Sequence, residues 1–212
     1  MDKLPNNLVK LAEGSRLKHY PKGQIIIYQG DKPHEVVLVA NGYIKMYDID
    51  KQGNEKILHI IKKGAIAPFS FFSGIDQEIR WFYAALTDCD VYVFSAQRLE
   101  EKVKQDKDLL LFINHWFSLE VHEILTRLSS MGKSSAKIKL IAALRFLAKE
   151  NSNQRQSGWI RVNFPVNHQL LADMTGVTRE SAATIMKDLT VREYVRNPRQ
   201  TILEINPKKI YN

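Results

Sequence analysis

The spacing of apolar residues changes near residue 108, which restricts the chain to a β-rich part followed by a helical part. Before the change, glycines recur at roughly ten-residue intervals and separate short runs rich in β-branched and aromatic side chains. These glycines are Gly23, Gly30, Gly42, Gly53 and Gly64. Short strands between regularly spaced turns are typical of a β-roll or barrel.

Five of these runs are predicted to be strands. They cover residues 24–28, 36–39, 43–47, 56–61 and 90–94. Asn41-Gly42 is the strongest hairpin signal among the turns, because this pair readily adopts the positive φ of a two-residue loop. Ser95 is expected to open a helical region, where the β-rich part closes.

Beyond residue 108 the apolar residues follow one another in steps of three and four without proline or glycine. The stripe consists of Leu110, Ile113, Phe117, Val121, Ile124, Leu128 and Met131. Such a stripe over three heptads predicts a long helix that pairs with its copy in a homodimer. A second apolar set, Leu109, Phe112, Trp116 and Leu119, indicates that another face packs on the β-rich part of the same chain.

Gly132 breaks the long helix, so Met131-Gly132-Lys133 is interpreted as a hinge. Ser134 or Ser135 can cap a further helix, the polar residues 151–158 are predicted to be a loop, and a short strand is expected at 159–162. The predicted domain boundaries therefore separate a β-rich part at 1–107, a long helix with its hinge at 108–133, and a C-terminal part at 134–212.

Positive charge is concentrated in the last part of the chain. Residues 134–212 hold 13 lysines and arginines against 6 aspartates and glutamates, whereas residues 1–133 hold 18 against 17. The net charges are therefore +7 and +1. A basic segment joined to a nearly neutral one favours a polyanionic partner such as nucleic acid, although general solubility also explains such charge.

Several classes of function lack support. Cys89 is the only cysteine, so it is interpreted as a small buried residue, and the six histidines form no metal-binding motif. We find no nucleophile elbow, phosphate-binding glycine loop or paired acid–base motif, and so do not expect an enzyme. No signal peptide or apolar run of about 18 residues is present, which predicts a soluble, cytoplasmic protein without membrane contact.

Residues 169–189 have the spacing of a helix-turn-helix. Ala172 is small where two helices approach closely, and Gly176 supplies the positive φ that the turn requires. Thr178 is predicted to be the N-cap of the second helix, which places Arg179 and Glu180 in its first turn. That turn is the part that enters the DNA major groove in this motif.

With this helix-turn-helix and the β-rich, long-helix pattern before it, the chain resembles the cyclic-AMP receptor protein and fumarate-nitrate regulator (Crp/Fnr) superfamily. The resemblance extends from Tyr20 to Ile205 and includes residues 20–31, 41–45 and 178–181. It implies an α+β protein: a cyclic-nucleotide-binding-like β-roll, a long dimerisation helix and a C-terminal winged helix-turn-helix. It also implies a homodimeric transcription regulator that binds double-stranded DNA at an inverted repeat, and RNA polymerase if it is an activator.

The resemblance assigns base reading to Arg179, Glu180, Ser181 and Thr184. Thr184 is a departure, since many family members have a second base-reading arginine at this position. Candidate phosphate contacts, some of them on the wing around Pro198, are Asn167, His168, Thr178, Lys187, Arg196 and Arg199.

The sensor region departs further from the family pattern. The resemblance aligns Phe69 with the ribose-binding glutamate and Ile79-Arg80 with the phosphate-binding Arg-Ser pair, which shifts Arg80 by one residue. His122-Glu123 replace a Thr-Ser pair of the long helix. The candidate effector pocket comprises Phe69, Ser70, Phe71, Phe72, Arg80, Trp81, Phe82, His122 and Glu123.

The effector itself is left open. Cyclic AMP is disfavoured, and no cofactor is assigned. The aromatic cluster around Phe69 either binds an apolar effector or fills a core. The alternatives are a cyclic-nucleotide-binding regulatory module and a sensor of haem, through a histidine such as His59 or His115, or of another small molecule.

Overall fold

A computed structural model describes residues 6–32, 34–69, 78–132, 135–152, 154–199 and 202–211. The chain divides into two compact units, one formed by residues 1–48 and 58–121 and the other by residues 49–57 and 122–212. This boundary falls within a long helix. The division at residues 107 and 133 expected from the sequence remains a prediction.

The first unit is built mainly from strands in two four-stranded sheets. Their orders are β1-β8-β3-β6 and β2-β7-β4-β5. The strands are β1 (Arg16–Tyr20), β2 (Ile25–Ile27), β3 (Glu35–Asn41), β4 (Tyr43–Ile49), β5 (Glu55–Lys62), β6 (Ile66–Ala67), β7 (Phe82–Ala85) and β8 (Cys89–Ser95). Three helices accompany them: α1 (Asn6–Ala12), α2 (Ala96–Gln105) and α3 (Lys107–Met131). The predicted strands, the helix start at Ser95 and the long helix are confirmed.

The Asn41-Gly42 hairpin is a wrong prediction. β3 pairs with β8 and β6, whereas β4 lies in the other sheet beside β7, so the turn carries the chain between sheets. Gly42 has φ +84°, and a Cβ at this position would lie 2.3 Å from the carbonyl oxygen of Asp88. Glycine is needed here because the backbone at residue 42 closely approaches the backbone of Asp88. An Asn-Gly pair therefore indicates a turn, but it does not distinguish a hairpin from a connection between two sheets.

The long helix contributes to the core of the first unit. Leu109 and Ile113 are almost fully buried, and they pack in one cluster with Leu38, Phe94 and Leu99. Ile113, which was assigned to the dimer stripe, is therefore buried within its own chain. Phe112 and Trp116 pack on the same cluster, as expected for the face that contacts the β-roll.

Another face of α3 leaves large apolar side chains exposed. Leu110, Val121, Leu125 and Leu128 have exposures of 46%, 37%, 57% and 62%. Leu119 is exposed on the opposite side of α3 from these residues, although its sequence pattern had placed it on the roll-facing side. Contiguous exposed apolar side chains on a helix mark an interaction surface.

The second unit combines helices with a small sheet. Its helices are α4 (Ala136–Glu150), α5 (His168–Thr175), α6 (Arg179–Val191) and α7 (Pro207–Ile210). Its sheet has the order β11-β12-β10-β9, formed by β9 (Arg155–Gln156), β10 (Trp159–Arg161), β11 (Val195–Arg199) and β12 (Ile202–Ile205). β9 corrects the prediction that residues 151–158 are only a loop. Ser135 is the N-cap of α4, while Lys133 and Ser134 lie outside the described residues.

Within the described part of the chain, no helix is both long enough and apolar enough to span a membrane.

The helix-turn-helix, the wing and the β-roll are all present, so the α+β fold class is confirmed.

Cys89 is fully buried, and its Sγ lies within hydrogen-bond distance of the carbonyl oxygens of Tyr43 (3.0 Å) and Thr87 (3.2 Å). Burial raises the pKa of this thiol, so the reactive thiolate is scarce at neutral pH. We predict that a thiol-specific reagent leaves Cys89 unmodified in the native protein and labels it fully after unfolding in guanidinium. Complete labelling of the native protein would contradict this placement.

Candidate nucleic-acid interface

Helices α5 and α6 meet through a tight turn at Gly176. This residue adopts φ 67° and ψ 26°, the left-handed conformation that glycine tolerates best, and its N–H donates to the Ala172 carbonyl oxygen at 2.8 Å. Ala172 is 3% exposed and Ala182 is fully buried, so small side chains stand where the two helices pack. The predicted turn is confirmed.

Thr178 is the N-cap of α6, as predicted. Its hydroxyl oxygen accepts from the Ser181 N–H at 3.2 Å, and its own O–H donates to the Ser181 hydroxyl oxygen at 3.0 Å. The cap fixes the first turn of α6, where Arg179 and Glu180 are exposed. Two charged side chains thus extend from a rigid helix start into solvent.

Thr184 lies one turn further along α6 and is also exposed. Its hydroxyl donates to the carbonyl oxygen of Glu180 at 3.0 Å. The hydroxyl proton is therefore engaged within the helix, and the group presents acceptor lone pairs to a ligand.

An ion-pair bridge holds α6 against α4. Asp188 accepts from Lys137 and from Arg192, each at 2.7 Å. The Lys137 hydrogen bond, followed by the Arg192 one, holds the pKa of this carboxyl below its ordinary value. Asp188 is thereby charge-compensated. The neighbouring Lys187 is exposed.

The other candidate phosphate contacts have different surroundings. Asn167 caps α5 by accepting from the Leu170 N–H at 2.8 Å, and His168 is exposed at the start of that helix. Arg196 bonds Glu204 at 2.6 Å through Nε and lies over the Trp159 ring at 4.4 Å, so it is partly engaged inside the wing sheet. The side chain of Arg199 lies outside the described residues, although its backbone ends β11.

The described residues assigned to the effector pocket have different surroundings within their own units. Phe69 is 8% exposed and packs against His59 and Trp116, with ring centroids 5.6 Å and 5.7 Å apart. Phe82 instead stacks on Tyr47 at 5.3 Å. This arrangement favours the filled-core interpretation for Phe69. Ser70, Phe71 and Phe72 lie outside the described residues.

Arg80 and Trp81 border an open cleft of about 660 Å³ in the first unit, together with Asp48 and Glu78. Ile79 is 3% exposed. Its N–H donates to the Asp31 carbonyl oxygen, and its carbonyl oxygen accepts from the Gly30 N–H, each at 2.8 Å. This pairing fixes the register so that Ile79 is buried and Arg80 is exposed.

His122 and Glu123 line a cavity of about 240 Å³ inside the second unit. The same cavity contains Arg127, a residue that the sequence argument missed. Arg127 is 7% exposed, and desolvation lowers its pKa to about 10. The available signal was its spacing, since it continues the buried side of α3 from Ile113 and Trp116, where a charge is unusual.

Two family models match the chain. A cyclic nucleotide-binding domain matches residues 17–106, and a Crp-like helix-turn-helix domain matches residues 139–210.

Curated relatives align over most of the chain. The global nitrogen regulator of Synechocystis sp. is 21% identical over 191 residues, which are 89% of this chain and 84% of the relative. The anaerobic regulatory protein of Bacillus subtilis is 24% identical over 192 residues, 89% of this chain and 79% of the relative.

Solved structures share the fold. The c-di-GMP responsive global regulator CLP of Xanthomonas campestris has a TM-score of 0.76 and 18% identity, and the match covers 93% of this chain and 97% of that one. A CooA mutant from Carboxydothermus hydrogenoformans has a TM-score of 0.78 and 18% identity, with 100% and 95% coverage.

Proposed function

Because this chain belongs to the Crp/Fnr family of DNA-binding transcription regulators, we propose that it acts as a homodimer that reads an inverted-repeat DNA site through α6. The observation that carries this proposal is the Thr178-capped start of α6, which holds Arg179 and Glu180 exposed on a fixed first turn. Charged side chains at a rigid, exposed helix start suit insertion into a major groove.

The side chains of α6 suggest a division of base contacts. Arg179 can donate two hydrogen bonds to guanine O6 and N7, and Glu180 can accept from cytosine N4. Thr184 is proposed to act as a hydrogen-bond acceptor toward a base, because its hydroxyl proton already bonds the backbone carbonyl oxygen of Glu180. Ser181 lies on the same turn of α6 as Arg179 and Glu180 and is proposed as a further base contact through its shorter side chain. These roles predict a half-site that is less constrained at the base pair opposite Thr184 than opposite Arg179.

Phosphate contacts would hold α6 in register without reading sequence. Lys187 and His168 are exposed and suit this role directly. Asn167 and Thr178 are the N-cap residues of α5 and α6, and backbone N–H groups at a helix N-terminus favour anions such as phosphate. Arg196 and Arg199 are proposed for the wing, with Arg196 retaining its bond to Glu204. If the protein activates transcription, RNA polymerase is a further partner.

The dimer is proposed to form along α3. Leu110, Val121 and Leu128 recur at helical spacing and remain exposed, with the half-buried Phe117 and Ile124 beside them. Pairing two copies would remove these side chains from water, at about 25 cal/mol per Å² of apolar surface.

Cyclic AMP is not expected to control this protein. A buried cyclic phosphate requires charged or hydrogen-bonding partners, but the position matched to the phosphate-binding arginine holds the buried Ile79. The position matched to the ribose-binding carboxylate holds Phe69, which is buried beside Trp116. We predict negligible heat in calorimetric titrations with millimolar cyclic AMP or cyclic GMP, and unchanged DNA affinity. Micromolar binding of either nucleotide would contradict this interpretation.

A gel-shift titration with a mixed pool of duplex DNA tests the function class. A DNA-binding regulator retards part of the pool, and its affinity falls steeply with salt as counterions are released. A protein that binds cyclic nucleotides without DNA activity, or an enzyme, leaves the pool unshifted at physiological salt. A native mass spectrum of the same preparation reports the dimer mass and any copurified effector.

A further inference from the structure

The 240 Å³ cavity of the second unit lies between the C-terminal part of α3 and helix α4. From α3 it is lined by His122, Glu123 and Arg127, and from α4 by Arg145 and Lys149; Tyr211 follows α7 at its edge. The DNA-contacting residues proposed above do not belong to this lining, so the cavity needs a separate explanation.

Positive charge predominates in the cavity. Arg127, Arg145 and Lys149 contribute three cations against the carboxylate of Glu123, which is bonded to Lys149. Arg145 donates through Nε to the Ile210 carbonyl oxygen at 2.5 Å, which fixes the orientation of its guanidinium. Burial raises the pKa of the Tyr211 phenol, so its hydroxyl remains a donor at neutral pH.

Arg127 is the most buried of these cations. Its Nη2 donates to the carbonyl oxygens of Ile57 and Met174, each at 3.0 Å, and its guanidinium lies 5.2 Å from the Phe146 ring centroid. Burial lowers the pKa of Arg127, which is the electrostatic cost that a bound anion would offset.

We propose that this cavity binds a small organic anion carrying a carboxylate or phosphate group, and that Arg127 links its occupancy to α5. The anion bonds Arg127 and Arg145, with Lys149 nearby. Since Met174 is the penultimate residue of α5, an anion that shares the Arg127 guanidinium alters a contact of the helix-turn-helix.

The dimensions of the cavity favour a small ligand. Drug-sized ligands occupy about 300–1,000 Å³, and this cavity is below that range. Phe146 and Ala142 supply an apolar wall for a short carbon chain. Inorganic phosphate and succinate are therefore suitable probes, because they represent the two anionic groups at small size.

Calorimetric titration of the full chain tests binding, with ionic strength fixed by sodium chloride and choline as a cationic control. At least one anionic probe is expected to bind saturably at one site per chain. Arg145→Gln should weaken it about 10-fold or more, the value of one charge-assisted hydrogen bond. Glu123→Gln should tighten it, because a like charge is removed.

Misfolding cannot produce the tighter anion binding that is expected of Glu123→Gln. This variant therefore still tests the site if Arg145→Gln is unstable. Arg161→Gln is the matched control, because it removes one charge from an exposed residue of the same unit outside the cavity. Three results would each overturn the site: no saturable binding in wild type and Glu123→Gln, equal weakening by Arg161→Gln, or no effect of either cavity variant.

The link to α5 rests on the proposed DNA-binding function and has its own readout. At a saturating probe concentration, DNA affinity should change by about 5-fold or more relative to sodium chloride of equal ionic strength. Unchanged DNA affinity overturns the link, whereas failure to bind DNA without any probe contradicts the proposed function instead.

Discussion

Replacing Val121 and Leu128 together with glutamate should convert the proposed dimer to a monomer and reduce specific DNA affinity by about 1,000-fold or more. Both side chains are exposed on α3, so the substitutions leave the core of the subunit intact. In a paired helix they would place charges in an apolar interface, which costs several kcal/mol per ion. Sedimentation measures the mass, and fluorescence anisotropy with a duplex that the wild-type protein has enriched from random DNA measures the affinity.

Leu119→Glu is the matched control for this prediction. Leu119 is 52% exposed and lies nine residues from both Leu110 and Leu128, two and a half turns of helix. It therefore faces away from the proposed interface, and its substitution should leave the dimer and its DNA affinity unchanged. A wild type that sediments as a monomer at micromolar concentration, or equal dissociation by Leu119→Glu, would contradict the dimer assignment.

Arg179→Ala is expected to cost about 1–3 kcal/mol per half-site, the value of a bidentate contact with guanine. Two half-sites in a dimer give a loss of up to about 6 kcal/mol in specific binding. Discrimination at one base pair of each half-site should disappear as well. Because Arg179 is exposed and outside the Thr178 cap bonds, the variant should fold normally.

Lys187→Ala provides the comparison. As a phosphate contact it should weaken all sequences alike and lower the salt slope by about one per contact. Competition with duplexes that vary at single base pairs separates the two behaviours. Equal losses on specific and random DNA in Arg179→Ala would remove this residue from the base-reading role.

Local features of the second unit could be predicted from the sequence. The turn at Gly176 and the cap at Thr178 depend on residues within four positions along the chain, and each requires a particular residue type. The long helix was equally clear, because its apolar spacing persists for more than twenty residues.

Features that depend on distant packing could not be predicted. Gly42 signals a turn, but only the approach of Asp88 shows that the turn crosses between sheets. The apolar stripe of α3 could not separate Ile113, which packs on the roll, from Leu110, which does not. Arg127 became visible only through its contacts with Ile57 and Met174, which are 70 and 47 residues away.

Selection of bound duplexes from random DNA by the wild-type protein, followed by sequencing, tests whether α6 reads an inverted repeat as part of a dimer. We expect an inverted repeat whose half-sites are centred about 34–36 Å apart, one helical turn, with a strongly preferred guanine in each half-site and weaker preference opposite Thr184. Recovery of a site without two-fold symmetry, or no enrichment of any sequence, would contradict it.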